Sequence, residues 1–209
     1  MPFLIQFATV ALIHLLAVMS PGPDFTLITA TSLTRSRRSA LWAAVGLALG
    51  IALHVSYSLL GIGFIISQSI ILFSLIKFLG AGYLIFIGWK GLRAKPHVDG
   101  DIAKQARPEL TPAAAVKLGF LTNALNPKAT IFFVSVFAQI IGPSTPLAIK
   151  ALYGIEMSLM TFVWFAFVAT LFSHAYIKAK VRSLQHVIER ITGAVLILFG
   201  LRLAFAKQH

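Results

Sequence analysis

Six apolar stretches, at roughly 3–33, 40–64, 70–92, 114–141, 149–174 and 187–206, decide which solvent this chain folds in. A helix needs about 20 apolar residues to cross the hydrocarbon core of a bilayer, and each stretch reaches that length. In lipid, backbone N–H and C=O groups must pair within their own segment, so the stretches are read as α-helices. Composition agrees: 58% of the chain is hydrophobic and 11% is charged, against about 25% charged in a soluble domain. The expectation is an all-α polytopic membrane protein of six transmembrane helices, with residues 1–209 as a single transmembrane domain. The opening "MPFLIQFATV" lacks a basic leader and a small-residue cleavage site, and is read as the start of a retained span.

The net charge of +12 falls between the apolar stretches. Arg35, Arg37 and Arg38 form one cluster. Lys90, Arg93, Lys95, Lys104, Arg107 and Lys117 form a second, and Lys178, Lys180 and Arg182 a third. Together they hold twelve of the eighteen basic residues. Such clusters mark cytoplasmic loops, which argues against a nucleic-acid partner and places both termini on the outer, periplasmic side. Contact with anionic lipid is the remaining use for them. The one substantial loop, at about 93–113, contains "RAKPHVDGDIAKQARPELTP", with three prolines and half of the acidic residues.

The halves of the chain match. "LGAGYLIFIGWKGLRAK" (79–95) aligns without gaps on "ITGAVLILFGLRLAFAK" (191–207), placing Gly88 on Gly200, Lys90 on Arg202 and Lys95 on Lys207. Ser20-Pro21 in the first span has a counterpart in Asn126-Pro127 in the fourth. Three spans per half is an odd number, so repeat 1 (about 1–95) and repeat 2 (about 114–209) must be inserted with opposite orientation, an architecture of secondary transporters.

The two Pro motifs sit where spans 1 and 4 are too long for one straight helix. Ser20 is read as an N-cap with Pro21 as first helical residue, and Asn126-Pro127 repeats that order. Each break starts a half-helix whose unpaired N–H groups form an anion site within the membrane. Asp24 follows the first break, in Ser20-Pro21-Gly22-Pro23-Asp24, and Lys128 follows the second. An ionisable residue in a span requires a partner or a wet cavity. A structural ion pair satisfies that need; so does a midplane site in which Asp24 meets an ammonium or a proton and Lys128 a carboxylate. A small zwitterionic amino acid presents both charges.

Further candidates are weaker. Glu156, another intramembrane acid, is read as a satisfied structural acid or as a site of coupling or a second substrate contact. Asn123 and Asn126 could line the cavity, although capping alone would explain Asn126. His14 and His54 are read as packed, hydrogen-bonded residues. Gly46, Gly50, Gly80, Gly82, Gly88 and Gly91 are read as sites of close helix packing. No cysteine, Walker motif, H-E-x-x-H or dense His/Asp/Glu cluster is present, so neither a cofactor nor a metal is expected. An intramembrane hydrolase would need Ser20 as nucleophile. His14, six residues away, lies about 240° around the helix, which leaves His54 as the base. A cation exporter would need more ligands than these. A homo-oligomer is compatible with all of these readings.

"HLLAVMSPGPDFTLITATSLTRSRRSAL" (14–41) and "LTNALNPKATIFFVSVF" (121–137) resemble the LysE/RhtB-type amino-acid exporters, most of all the bacterial threonine exporters within that family. The likeness covers nearly the whole chain. It implies an inner-membrane efflux carrier, not an enzyme, driven by the proton-motive force. It also implies that Pro21, Gly22, Pro23, Asp24, Asn126, Pro127 and Lys128 are motif positions. Members of the family export threonine, homoserine, lactones, branched-chain or basic amino acids, so the resemblance leaves the substrate open.

Overall fold

The computed structural model describes residues 3–20, 22–68, 70–93, 107–140 and 145–172, with 187, 190–191, 193–198, 200–201 and 204–205 near the C-terminus. Pro21, residues 94–106 of the long loop, and the Lys178, Lys180 and Arg182 cluster lie outside the described residues. Among the described residues the helices are, in order, α1 (Phe3–Met19), α2 (Pro23–Thr34), α3 (Arg37–Gln68), α4 (Ile70–Leu92), α5 (Pro112–Ala124), α6 (Pro127–Ile140) and α7 (Leu147–Phe172). Residues 193–198 continue the helical pattern toward the C-terminus, and there is no strand among the described residues.

Helices occupy the apolar stretches, and two of them are interrupted where the Pro motifs stand. Arg37–Leu59 and Leu147–Phe172 are each long and apolar enough to cross a membrane; α1 and α2, bent by 55° at their break, make a third span if counted together. The chain is thus an all-helical, multi-pass membrane protein. Its outer surface carries large apolar side chains such as Leu4, Leu79, Leu159 and Leu198, which suits contact with lipid. Hydroxyls within the helices bond the carbonyl four residues back, as Thr9 does to Ile5, Thr29 to Phe25, Ser32 to Ile28 and Thr170 to Ala166. These four hydroxyls are thereby satisfied without water.

Three helices begin with a cap followed by proline. Thr111 caps α5 by accepting from the Ala114 N–H at 3.3 Å, ahead of Pro112. Asn126 caps α6 by accepting from the Lys128 N–H at 3.0 Å, ahead of Pro127. The third case corrects the sequence expectation: Ser20 is not the cap of α2. Its N–H still bonds the Leu16 carbonyl at 3.1 Å, as a continuation of α1. Gly22 is the cap and Pro23 the first helical residue. Of the two prolines in the motif, the later one takes the helical position that needs no N–H.

Two apolar clusters lie on either side of the breaks. One joins Val10, Ile13, Phe132, Phe133, Phe137, Tyr153 and Met157 with Leu84 and Leu196. The other joins Ile28, Leu47, Phe165, Val168 and Phe172. Helix α3 packs along α5 and α7, α2 packs on α7, and α6 on α3 and α4. The α3–α5 contact is backbone on backbone. A Cβ at Gly46 would fall on the Val116 carbonyl oxygen and 2.7 Å from the Phe120 nitrogen; one at Gly119 would fall on the Ala43 carbonyl oxygen. Gly88 and Gly193 face each other in the same manner, and Gly200 faces the Ala81 carbonyl, where a Cβ would come within 2.9 Å. Gly82, expected to serve close packing as well, is exposed and has no described neighbour within 4 Å of its Cβ position.

The Arg107–Thr111 segment docks on the turn between α2 and α3. The Arg107 N–H bonds the Thr34 carbonyl at 2.6 Å, and the Leu110 N–H bonds the Ser39 hydroxyl at 3.1 Å. Arg35 donates to the Pro108 carbonyl and Ser36 to the Glu109 carboxylate. The entry to α5 is therefore fixed at the end of the molecule that carries Arg35, Arg37 and Arg38. Gly46→Ala is expected to lower unfolding stability in detergent by about 1–3 kcal/mol, because backbone must move. Gly82→Ala is expected to stay within about 0.5 kcal/mol of the parent. Thermal unfolding of the two variants side by side checks this; equal midpoints would contradict the close α3–α5 approach.

Candidate functional site

The two breaks meet. Between them lies a small, half-enclosed pocket. Its polar side is formed by Ser20, Gly22 and Asp24 from the first break, with Asn123, Asn126 and Lys128 from the second. Its apolar side is formed by Ile51, Phe132, Phe133 and Phe165, with His14 among them.

Asp24 stands in the first turn of α2, where the helix dipole favours a negative charge. Each of its carboxylate oxygens accepts from a different amide: Oδ2 from Asn123 Nδ2 at 2.7 Å and Oδ1 from Asn126 Nδ2 at 3.2 Å. Asn126 works in two directions at once, since its Oδ1 caps α6 while its Nδ2 reaches Asp24. Lys128 crosses the opposite way. Its ammonium donates to the carbonyls of Ala17 at 3.2 Å and Ser20 at 2.9 Å. Those are last-turn carbonyls of α1, left without helical partners by the break, and a cation there complements the negative end of the helix. The Lys128 and Asp24 charges also attract each other across the pocket.

A supporting layer fixes Asn123. Its backbone carbonyl, in the last turn of α5, is 2.9 Å from His54 Nε2, and the other ring nitrogen of His54 bonds the Tyr57 hydroxyl. The same imidazole stacks on Phe133 at 5.5 Å with a 4° interplanar angle. His54 thus spans the second break, touching α5 through Asn123 and α6 through Phe133. A Cβ at Gly50 would lie 2.6 Å from Asn123 Oδ1, so Gly50 leaves the room that Asn123 occupies.

The structure brings together Asp24, Asn123, Asn126 and Lys128, with Ser20, Gly22 and the start of α6 at Pro127 beside them. Glu156 stands apart: it lies on α7, does not line the pocket, and has both carboxyl oxygens buried without a hydrogen-bond partner among the described residues. Ser20 enters through its backbone carbonyl. With both nitrogens engaged, His54 does not serve as a base for Ser20. Among the described residues no three or more His, Cys, Asp and Glu side chains come together. His54 is packed and hydrogen-bonded and Gly50 sits at a close approach, as the sequence suggested, but sequence reasoning did not identify Asn123 as the residue both of them meet. The available signal was that a histidine in an apolar stretch must bond to something; here it meets the Asn123 carbonyl, which also accepts the Asn126 N–H at 2.9 Å.

A model of the LysE type translocator family matches residues 15–207. The chain is 34% identical to the threonine efflux protein of Escherichia coli (strain K12) over 207 residues, covering 98% of this chain and 100% of that protein. It is 33% identical to the threonine efflux protein of Salmonella typhi over 205 residues, again 98% and 100%. The uncharacterized membrane protein YrhP of Bacillus subtilis (strain 168) is 30% identical over 192 residues, 88% of this chain and 91% of that one. No solved structure matches.

The contact between Gly50 and Asn123 predicts non-additive substitutions. Gly50→Ala and Asn123→Ala are each expected to cost about 1–3 kcal/mol in detergent unfolding. The double variant is expected to cost less than the sum, since alanine at 123 removes the group that the new methyl strikes. Strict additivity would show that the two positions do not touch.

Proposed function

We propose, from the premise that this chain belongs to the LysE type translocator family, that it is a secondary carrier exporting a small neutral amino acid, threonine or a homoserine-like molecule, from the cytoplasm. The observation that carries this reading is the facing pair of charges: a carboxylate held by two amides and an ammonium held by two helix-end carbonyls, on one pocket between two broken helices. The substrate ammonium takes Asp24, and its carboxylate takes Lys128 in exchange for the Ala17 and Ser20 carbonyls. Asn123 and Asn126 keep the Asp24 carboxylate aimed at the pocket. Ser20, Gly22 and Pro23, with Pro21 between them in sequence, and Pro127 maintain the gaps that admit the substrate.

Transport is by alternating access coupled to proton entry, the proton competing with substrate at Asp24. Glu156, off the pocket, is assigned to coupling and not to substrate contact. The chain lies in the bacterial inner membrane with both termini periplasmic, as the positions of the arginine and lysine clusters favour. Six spans arranged as two inverted repeats are supported by pairs of contacts that exchange under the sequence repeat. The alignment places residue 81 on 193 and 88 on 200, and the Gly88–Gly193 contact then becomes the Gly200–Ala81 contact. Likewise α2 packs on α7 as α6 packs on α3. An antiparallel, two-fold related pair of halves has this property.

Everted membrane vesicles containing the chain are expected to take up labelled threonine faster under an imposed pH gradient, and to lose the stimulation with a protonophore. Asp24→Asn, at equal membrane abundance, is expected to reduce uptake at least about tenfold and to flatten its pH dependence. Uptake by Asp24→Asn at the parent rate and pH profile would remove Asp24 from the mechanism.

A further inference from the structure

The apolar side of the pocket contains one ring with an unused nitrogen. His14, on α1, is only 1% exposed and lines the pocket. Its Nε2 is 3.4 Å from the Thr161 hydroxyl of α7, whereas its Nδ1 is buried with no hydrogen-bond partner among the described residues. Phe132 and Phe133 flank the ring, with centroids at 6.0 and 5.7 Å. A phenylalanine at this position would pack without a polar atom to satisfy. A histidine left half-paired against a cavity is costly unless something entering the cavity completes it.

We propose that His14 is the specificity-determining residue of the export site and that it reads a hydroxyl on the substrate side chain, with Thr161 orienting the ring. The inference rests on the amino-acid export reading above. A neutral imidazole has one donor and one acceptor nitrogen. The Thr161 hydroxyl can serve either, so the free nitrogen is a donor in one tautomer and an acceptor in the other. A substrate hydroxyl satisfies both tautomers; an ammonium or a carboxylate satisfies one, and a methyl neither.

The spacing fits. Lys128 grips the carbonyl of Ala17, and His14 is three residues earlier on the same helix, about 4.5 Å along its axis. An amino acid whose charged groups engage Asp24 and Lys128 therefore has its side chain one helical turn away, beside His14 and the two phenylalanines. The ring reads the hydroxyl and the aromatic faces accept the remaining carbon. The substrate class is a small hydroxylated amino acid, selected over its aliphatic isostere.

Threonine and valine differ by one hydroxyl for one methyl, so their transport ratio is the readout. In everted vesicles carrying the full chain, threonine uptake relative to KM is expected to exceed that of valine by at least about tenfold. His14→Leu is expected to bring the ratio to within about twofold, Thr161→Val to reduce it, and His14→Gln, which retains a donor and an acceptor, to preserve the preference. If His14→Leu does not accumulate in the membrane, the parent ratio and Thr161→Val decide. Equal uptake of threonine and valine by the parent, or an unchanged ratio in His14→Leu, overturns the role of His14 while leaving export in place. Vesicles that take up neither amino acid overturn the export reading and this inference together.

Discussion

The carboxylate of Asp24 sets the terms for everything around it. A charge within an apolar bundle is tolerated only with full hydrogen-bond compensation, and here the compensation comes from Asn123 and Asn126. Those amides are available because α5 stops at Ala124 and α6 starts afresh at Pro127. Had the fourth apolar stretch run on as one helix, Asn126 would have had no helix start to cap. The break in one half thus supplies the donors for the acid at the break in the other. The reverse also holds, since Lys128 supplies donors to the carbonyls left unpaired at the end of α1. Each interruption repairs its opposite.

Much of this was legible in the sequence, for definite physical reasons. Apolar length reports helices in lipid, and proline behind a capping residue reports a helix start, so the elements and both interruptions could be placed from residue type alone. The grouping of Asp24 with Asn126 and Lys128 followed from finding opposite charges at matched breaks. Less legible was the hydrogen-bonding detail. Ser20 and Gly22 compete to precede a proline, and only the backbone path decides that Gly22 caps α2. The partner of Lys128 proved to include two main-chain carbonyls, which no side-chain pattern announces.

Glu156 is a different case. Its charge and its position in an apolar stretch made it a candidate, though a weaker one than Asp24, which also stands at a break. Which face of a long uniform helix points toward the pocket is set by packing on α3 and on α1, and helix α7 has apolar residues on every side. The same uniformity concealed that His54 and Gly50, rightly read as a bonded histidine and a close-packing glycine, both lie against Asn123.

The glycine contact between α3 and α5 also divides the molecule mechanically. Backbones touching at Gly46 and Gly119 interlock like teeth and leave no room to slide or roll. Asn123 and His54 are mounted on that interlocked pair. Lys128, by contrast, holds α1 at the end of a long, rotatable tether, by bonds that an incoming anion can replace one for one. The first break is thus tied to the second through a side chain, whereas α3 and α5 meet backbone to backbone.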